Sequence, residues 1–267
     1  PGRPAVSTHR GTGADDIVDS HCHLASCDDP VPDLIAAALD AGVTRMVTIG
    51  CGRESSEHAV ALADAHPEVW AAVGVHPVDA GKGNWRDSDV DWIRDLAQHD
   101  RVVAIGECGL DYFHDRSTPD DAIRAFRAQC EIAADLDMPL VIHTRDAADD
   151  TMVILREAGT SQIILHCFSI PEYLDEAADR GWMMSVAGPV TFPKNTALRE
   201  AAPRIPEAQL LVETDAPYLT PHPWRGADNS PSLVPLTVRA MAGVLGVAVP
   251  TLCEALSENS ERLYGPW

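Results

Sequence analysis

Six short segments place metal-capable side chains near the ends of runs that read as β-strands. They are Asp19-Ser20-His21-Cys22-His23, Gly74-Val75-His76-Pro77, Gly106-Glu107-Cys108-Gly109-Leu110-Asp111, Ile142-His143-Thr144-Arg145, His166-Cys167-Phe168-Ser169 and Glu213-Thr214-Asp215-Ala216-Pro217. His21 and His23 are two apart, so on a strand both project to one side and can share an ion. A lone His-x-His is more often coincidence or a buried polar pair; the five later segments overturn that weighing. Glu107 closes a fourth strand and can offer one oxygen to each of two cations. His143, His166 and Asp215 complete a set of four imidazoles and two carboxylates. Mixed nitrogen and oxygen donors suit zinc, manganese, iron or nickel, and hold magnesium when waters complete the shell. Six protein ligands exceed what one tetrahedral ion needs. Two divalent cations are the economical reading, and such pairs commonly hydrolyse phosphate esters.

Other residues stand close to these by spacing. His76 ends the third strand-like run and reads either as a substrate-phosphate contact or as a polar residue lining the mouth. Arg145 follows His143 by two and shares its face, where a planar guanidinium suits a phosphate or balances carboxylates. Asp19 and Glu213 each precede a ligand by two and read as support one layer deeper. Asp111 falls in the loop after the fourth strand, as an orienting group or a turn cap. Trp224 and Arg225, in Pro221–Pro231, offer stacking and charge for one wall of a cleft, with core packing an equal use for Trp224. Cys22, Cys108 and Cys167 alternate in parity with the ligands, so they read as core. His9, His58, His66, His99, His114 and His222 lack a ligand context and read as surface or loop.

Eight β-like runs carry these residues: Ile17–His23, Val43–Gly50, Val69–His76, Val102–Glu107, Pro139–His143, Gln162–His166, Trp182–Val186 and Leu210–Asp215. They are short, apolar and partly β-branched, as parallel strands covered on both faces are. Helical patterns lie between them, at Val31–Ala41, Ser55–Ala65, Asp120–Leu136 and Pro171–Asp179, then about Ser232–Leu245 and Thr251–Tyr264; Thr118 ahead of Pro119 offers an N-cap. This alternation predicts an α/β fold, a single-domain TIM-type (β/α)8 barrel, with a doubly wound open sheet as the rival. Closure favours the barrel, because an open sheet would carry the first and eighth strands to distant places. The expected domain is 17–267, with 1–16 a loose, polar N-terminal extension.

Composition bounds the rest. The chain has 267 residues, 45% hydrophobic, and a formal net charge of −21. That charge argues against nucleic-acid binding through a broad basic surface but allows a local grip on a few phosphates. Seven cysteines without a disulfide-like spacing or a Cys-x-x-Cys pair point to a reducing, cytoplasmic setting and no zinc ribbon. No apolar run approaches the length of a membrane span, so no membrane partner is expected.

Taken together and in this order, the six segments resemble the TatD family of metal-dependent deoxyribonucleases, within the amidohydrolase-like barrels. The match runs from about Ile17 to Tyr264. Departures are small: Cys108 stands where an aliphatic residue is usual and Thr144 where Ser is. The resemblance implies a TIM-type barrel and metal ligation by His21, His23, Glu107, His143, His166 and Asp215. It also implies 3′-to-5′ trimming of DNA, with RNA possible, so the expected partner is nucleic acid, chiefly single-stranded DNA ends. Two cations (Mg, Zn or Mn) would activate water, with Asp215 accepting its proton and Arg145 and His76 positioning the chain end. The same centre could serve a small amide, lactone or phosphotriester. A non-catalytic metal-binding scaffold is a rival of another class, weakened by the complete ligand set.

Overall fold

The apolar runs form strands because each is covered twice, by helices outside and by side chains inside the barrel. The computed structural model describes residues 16–114 and 119–265. The elements alternate as β1 (Ile17–Cys22), α1 (Val31–Asp40), β2 (Val43–Ile49), α2 (Arg53–Ala65), β3 (Val69–Val73), α3 (Pro77–Asp79), α4 (Asp89–Ala97), β4 (Val102–Asp111), α5 (Pro119–Leu136), β5 (Leu140–Arg145), α6 (Ala148–Glu157), β6 (Ile163–Leu165), α7 (Leu174–Asp179), β7 (Met183–Val186), α8 (Thr196–Ala201), β8 (Leu210–Val212), α9 (Val234–Leu245) and α10 (Val249–Tyr264). All strands pair in parallel in the order β1 to β8. The expected (β/α)8 barrel is therefore the fold, and the open sheet is excluded.

The ring closes where the first and last strands meet. Ser20 Oγ donates to Val212 O at 2.9 Å, Asp215 N to His21 O at 2.9 Å and His23 N to Ala216 O at 2.7 Å. The seam is thus built largely from the segments that carry the candidate ligands. Inside, Val47, Trp70, Val103, Val141, Met183 and Leu211 form an apolar layer, against which Leu263 and Tyr264 of α10 pack. A larger apolar shell lies between strands and helices. On α5, Phe126, Gln129, Ile132 and Ala133 recur at helical spacing and are buried.

Several boundaries differ from expectation. β3 stops at Val73, so His76 lies beyond the strand and caps α3, accepting from Val78 N at 3.1 Å. β4 runs on through Asp111, which is not in a loop but the last residue of the strand. Helices α4, α6 and α8, absent from the expected helical patterns, carry no side-chain cap, and neither do α1, α2, α7, α9 and α10. Asp16 is not loose: it binds Thr44, Arg45 and Ser257. Residues 1–15 of the expected extension and the Thr118 cap lie outside the described residues.

β4 bends at its functional residue. Its pairing with β5 shifts register between Ile105 and Cys108, a bulge of the kind that re-aims a side chain. Gly106 (φ +126°) and Gly109 (φ +136°) flank Glu107 in a backbone region L side chains rarely adopt. A Cβ on Gly109 would stand 2.0 Å from His143 O. Gly109→Ala should therefore cost about 2 kcal/mol or more of stability, and by pushing the His143 backbone it should also lower metal occupancy. Denaturant unfolding with metal analysis checks this; an unchanged midpoint would show that the strand pair yields freely.

Candidate metal centre

Glu107 stands between two groups of donors. Its Oε2 lies 3.4 Å from His21 Nε2 and 3.8 Å from His23 Nε2. Asp215 Oδ1 lies 3.6 Å from His21 Nε2 and 3.4 Å from His23 Nε2, and the two Nε2 atoms are 3.3 Å apart. The other oxygen, Oε1, lies 2.8 Å from His143 Nδ1, 3.0 Å from His166 Nε2 and 3.6 Å from His76 Nε2. All six expected ligands thus converge at one mouth. The period-two reading of His21 and His23 agrees with their contact, and Cys22 between them is buried in the outer shell.

The donor set fits a cation. Metal–nitrogen bonds of about 2.0–2.1 Å in a tetrahedron separate neighbouring ligand atoms by about 3.3 Å. The spacings among His21, His23, Asp215 and Glu107 Oε2 are of that size. Two imidazole nitrogens and two carboxylate oxygens buried this closely need a proton or a metal among them. Groups able to hold an ion include His21–His23–Asp215, His21–Glu107–His166 and His76–Glu107–His143.

A second layer holds the imidazoles. Glu213 Oε1 meets His166 Nδ1 at 3.0 Å and accepts from Cys167 N at 2.8 Å. Asp19 accepts from Thr214 N at 2.8 Å and Thr214 Oγ1 at 2.6 Å, tying β1 to the segment before Asp215. Asp111 both caps and orients. Its Oδ1 accepts from Phe113 N and His114 N, each at 2.8 Å, while Oδ2 lies 3.1 Å from His143 Nε2 and 2.7 Å from His114 Nδ1. His114 is exposed in a turn, as expected, and touches the centre only through Asp111. Gln129 on α5 accepts from Val75 N at 2.8 Å and donates to Val75 O at 3.1 Å, fixing the backbone beside His76.

Sequence reasoning also missed Cys51, whose Sγ lies 3.7 Å from His23 Nδ1 and which joins His23 and Glu107 as a further donor group. A position just past β2 was the only signal. Arg145 is exposed, with its guanidinium 3.8 Å over the Phe113 ring. Trp224 is half-buried in the loop after β8, and Arg225 lies over Phe192 at 4.5 Å; neither has a described contact with the ligands.

Electrostatics divides the groups. Burial alone would raise the Glu107 carboxyl, but His166, His76 and His21 outweigh it and hold it well below the carboxylate range. Asp215 is likewise lowered against its burial, by His23 first. Burial would lower His166 and His23, yet both are raised well above the usual imidazole value: His166 chiefly by Glu107 and Glu213, His23 by Cys51 and Asp215. Burial pushes His76 down to about 3, so it is neutral near pH 7. Its Nδ1 accepts from Val78, which leaves the proton on Nε2, facing Glu107. Burial raises Asp19 to about 8.

Eight parallel strands with such a donor shell at one mouth define a metal-dependent barrel hydrolase. A family profile described as TatD related DNase matches residues 18–265, and the chain belongs to that family. It is 36% identical over 253 residues to an uncharacterized metal-dependent hydrolase, YabD, of Bacillus subtilis, covering 93% of this chain and 98% of that one. It is 39% identical over 240 residues to a 3′-5′ ssDNA/RNA exonuclease TatD of Musicola paradisiaca, covering 86% and 90%. The crystal structure of YJJV, a TatD homologue from Escherichia coli, superposes with a TM-score of 0.85 at 25% identity, covering 93% and 97%.

Cation binding must displace protons from the raised imidazoles His23 and His166. Both are protonated below their raised pKa values, so zinc affinity should fall as pH is lowered from about 8 to about 6. Calorimetric titration of metal-free protein in buffers of different ionisation enthalpy should show net proton release. Affinity independent of pH would mean these imidazoles do not face the ion.

Proposed function

We propose that this chain is a 3′-to-5′ exonuclease of single-stranded DNA, with RNA as a further substrate, working through two divalent cations (Mg, Zn or Mn). The observation that carries this reading is Glu107, whose two oxygens face separate donor groups. His21, His23 and Asp215 would hold one cation, His143 and His166 the other, with Glu107 common to both. What divalent cations supply at such a centre is Lewis acidity at the phosphate and a water of lowered pKa.

The chain's own groups do the rest. Asp215 is the more exposed of the two carboxylates, with 13% of its side chain accessible against 3% for Glu107. Ionised and at the solvent edge, it accepts the proton of the attacking water. His76, neutral, offers an N–H to a phosphate oxygen. Arg145 has no ion pair among the described residues and supplies a guanidinium to the phosphate of the chain end. The net charge of −21 repels a polyanion elsewhere, so the grip is local.

Purified protein stripped of metal and reloaded with single cations should degrade end-labelled single-stranded DNA from its 3′ end and leave circular single strands intact. Equal cutting of circles would overturn the exonuclease reading. Glu107→Gln should keep the fold yet lose activity by roughly 100-fold or more, an activation barrier higher by about 2.7 kcal/mol. Near-normal turnover at full metal occupancy would remove Glu107 from its place between the cations. The slope of log affinity against log salt should be shallow, about −1 to −2, since single strands give about −0.7 per neutralised phosphate. A steep slope would reveal an extended basic groove.

A further inference from the structure

The large apolar side chains left in water are few among the described residues, and the two most exposed are aromatic: Phe113 at 59% and Tyr218 at 57%. By contrast, Phe126, Phe168, Trp85 and Trp182 are at most 3% exposed. Leaving a phenyl ring in water forgoes the burial that aromatic side chains otherwise contribute, so two such rings at one mouth need a reason.

Both rings flank the candidate centre, on opposite sides of Glu107. Tyr218 stands edge-on to His23, with centroids 6.0 Å apart, on the side of His21, His23 and Asp215. Phe113 stands on the side of His143, its ring 5.0 Å from His114, whose Nδ1 meets the same Asp111 oxygen as His143 Nε2.

Both are also held by the groups that build the centre. Tyr218 N donates to Asp215 O at 2.8 Å, and its carbonyl accepts from the buried Asn229, which also donates to Thr214 O. Phe113 N donates to Asp111 Oδ1 at 2.8 Å. One face of Phe113 carries the Arg145 guanidinium. Rings fixed in place and open to solvent make platforms on which any base can stack, since every base has a π-face.

We infer that Phe113 and Tyr218 are nucleobase-stacking residues, taking the two bases on either side of the phosphodiester that lies over Glu107. This rests on the exonuclease reading and gives it a basis for strand selection. A base pair within a duplex cannot lay its two neighbours on separated platforms without unpairing, whereas a single-stranded end can. Arg145, stacked on Phe113, would then meet the adjoining phosphate while its ring partner meets the base.

Phe113→Leu, Tyr218→Leu and Tyr218→Phe are compared with the parent chain on short single-stranded DNA. The substrates are intact or abasic at one of the two 3′-terminal nucleotides. Each Leu variant should raise KM about tenfold with kcat within about twofold, and Tyr218→Phe should behave as the parent. The loss caused by each Leu variant should vanish on the substrate lacking the base that stacks there, at a different nucleotide for each ring. Circular dichroism and thermal midpoints should be unchanged, because both side chains are exposed. If the parent degrades the DNA while neither Leu variant raises KM, or both lose equally on intact and abasic substrates, the stacking assignment is overturned and the exonuclease reading stands. If the parent does not degrade single-stranded DNA, both fall.

Discussion

A carboxylate buried among imidazoles is the constraint around which the molecule is organised. Glu107 is 2% exposed, and an uncompensated charge in such a place costs several kcal/mol. His21, His23, His76, His143 and His166 surround it, and the raised His23, His143 and His166 match its charge, but the match holds only if each ring keeps its angle. Glu213 fixes His166, Asp111 fixes His143, Val78 N fixes His76, and Gln129 fixes the backbone on which His76 stands. The bulge in β4 and its two glycines let the carboxylate reach the middle of the group. Removing Glu107 would leave buried imidazoles without a counter-charge, a harsher change than losing one ligand.

The same arrangement would reconcile an acidic protein with the anionic substrate proposed for it. The formal charge of −21 belongs to the body, whereas the mouth holds a dense group of basic nitrogens and the free guanidinium of Arg145. Attraction is therefore short-ranged, screened within about 8–10 Å at physiological salt. Under the proposed reading, such a charge distribution would hold one phosphate with its two neighbours rather than a long tract.

How much of this was readable in the sequence depends on where each residue sits. The six ligands were legible because each lies in the C-terminal half of a strand or just past it, where barrel sites are built; Glu107 was read as closing β4, which in fact runs four residues further. The strands themselves were legible from apolar runs between polar breaks. Asp111 and His114 were not read as partners, because their contact is made by a turn three residues long and carries no periodic signal. Cys51 stands alone after β2, and only the curvature of the barrel brings it to His23. His76 was assigned to a strand that ends three residues earlier, since Gly74-Val75 continues the apolar run without continuing the pairing. Exposure cannot be read from type, so nothing in the sequence singled out Phe113 and Tyr218.

The closure of the barrel also sets an order of events during synthesis. The bond from Thr214 N to Asp19 joins residues 195 positions apart in sequence, as far apart as contacts in this fold extend among the seam pairs. Chains leave the ribosome N-terminus first, and contacts between distant residues form late. The imidazoles of β1 thus wait, in a strand without its last neighbour, until the segment bearing Asp215 has emerged. A hydrolase assembled across its own seam has no finished centre until its last strand has joined its first.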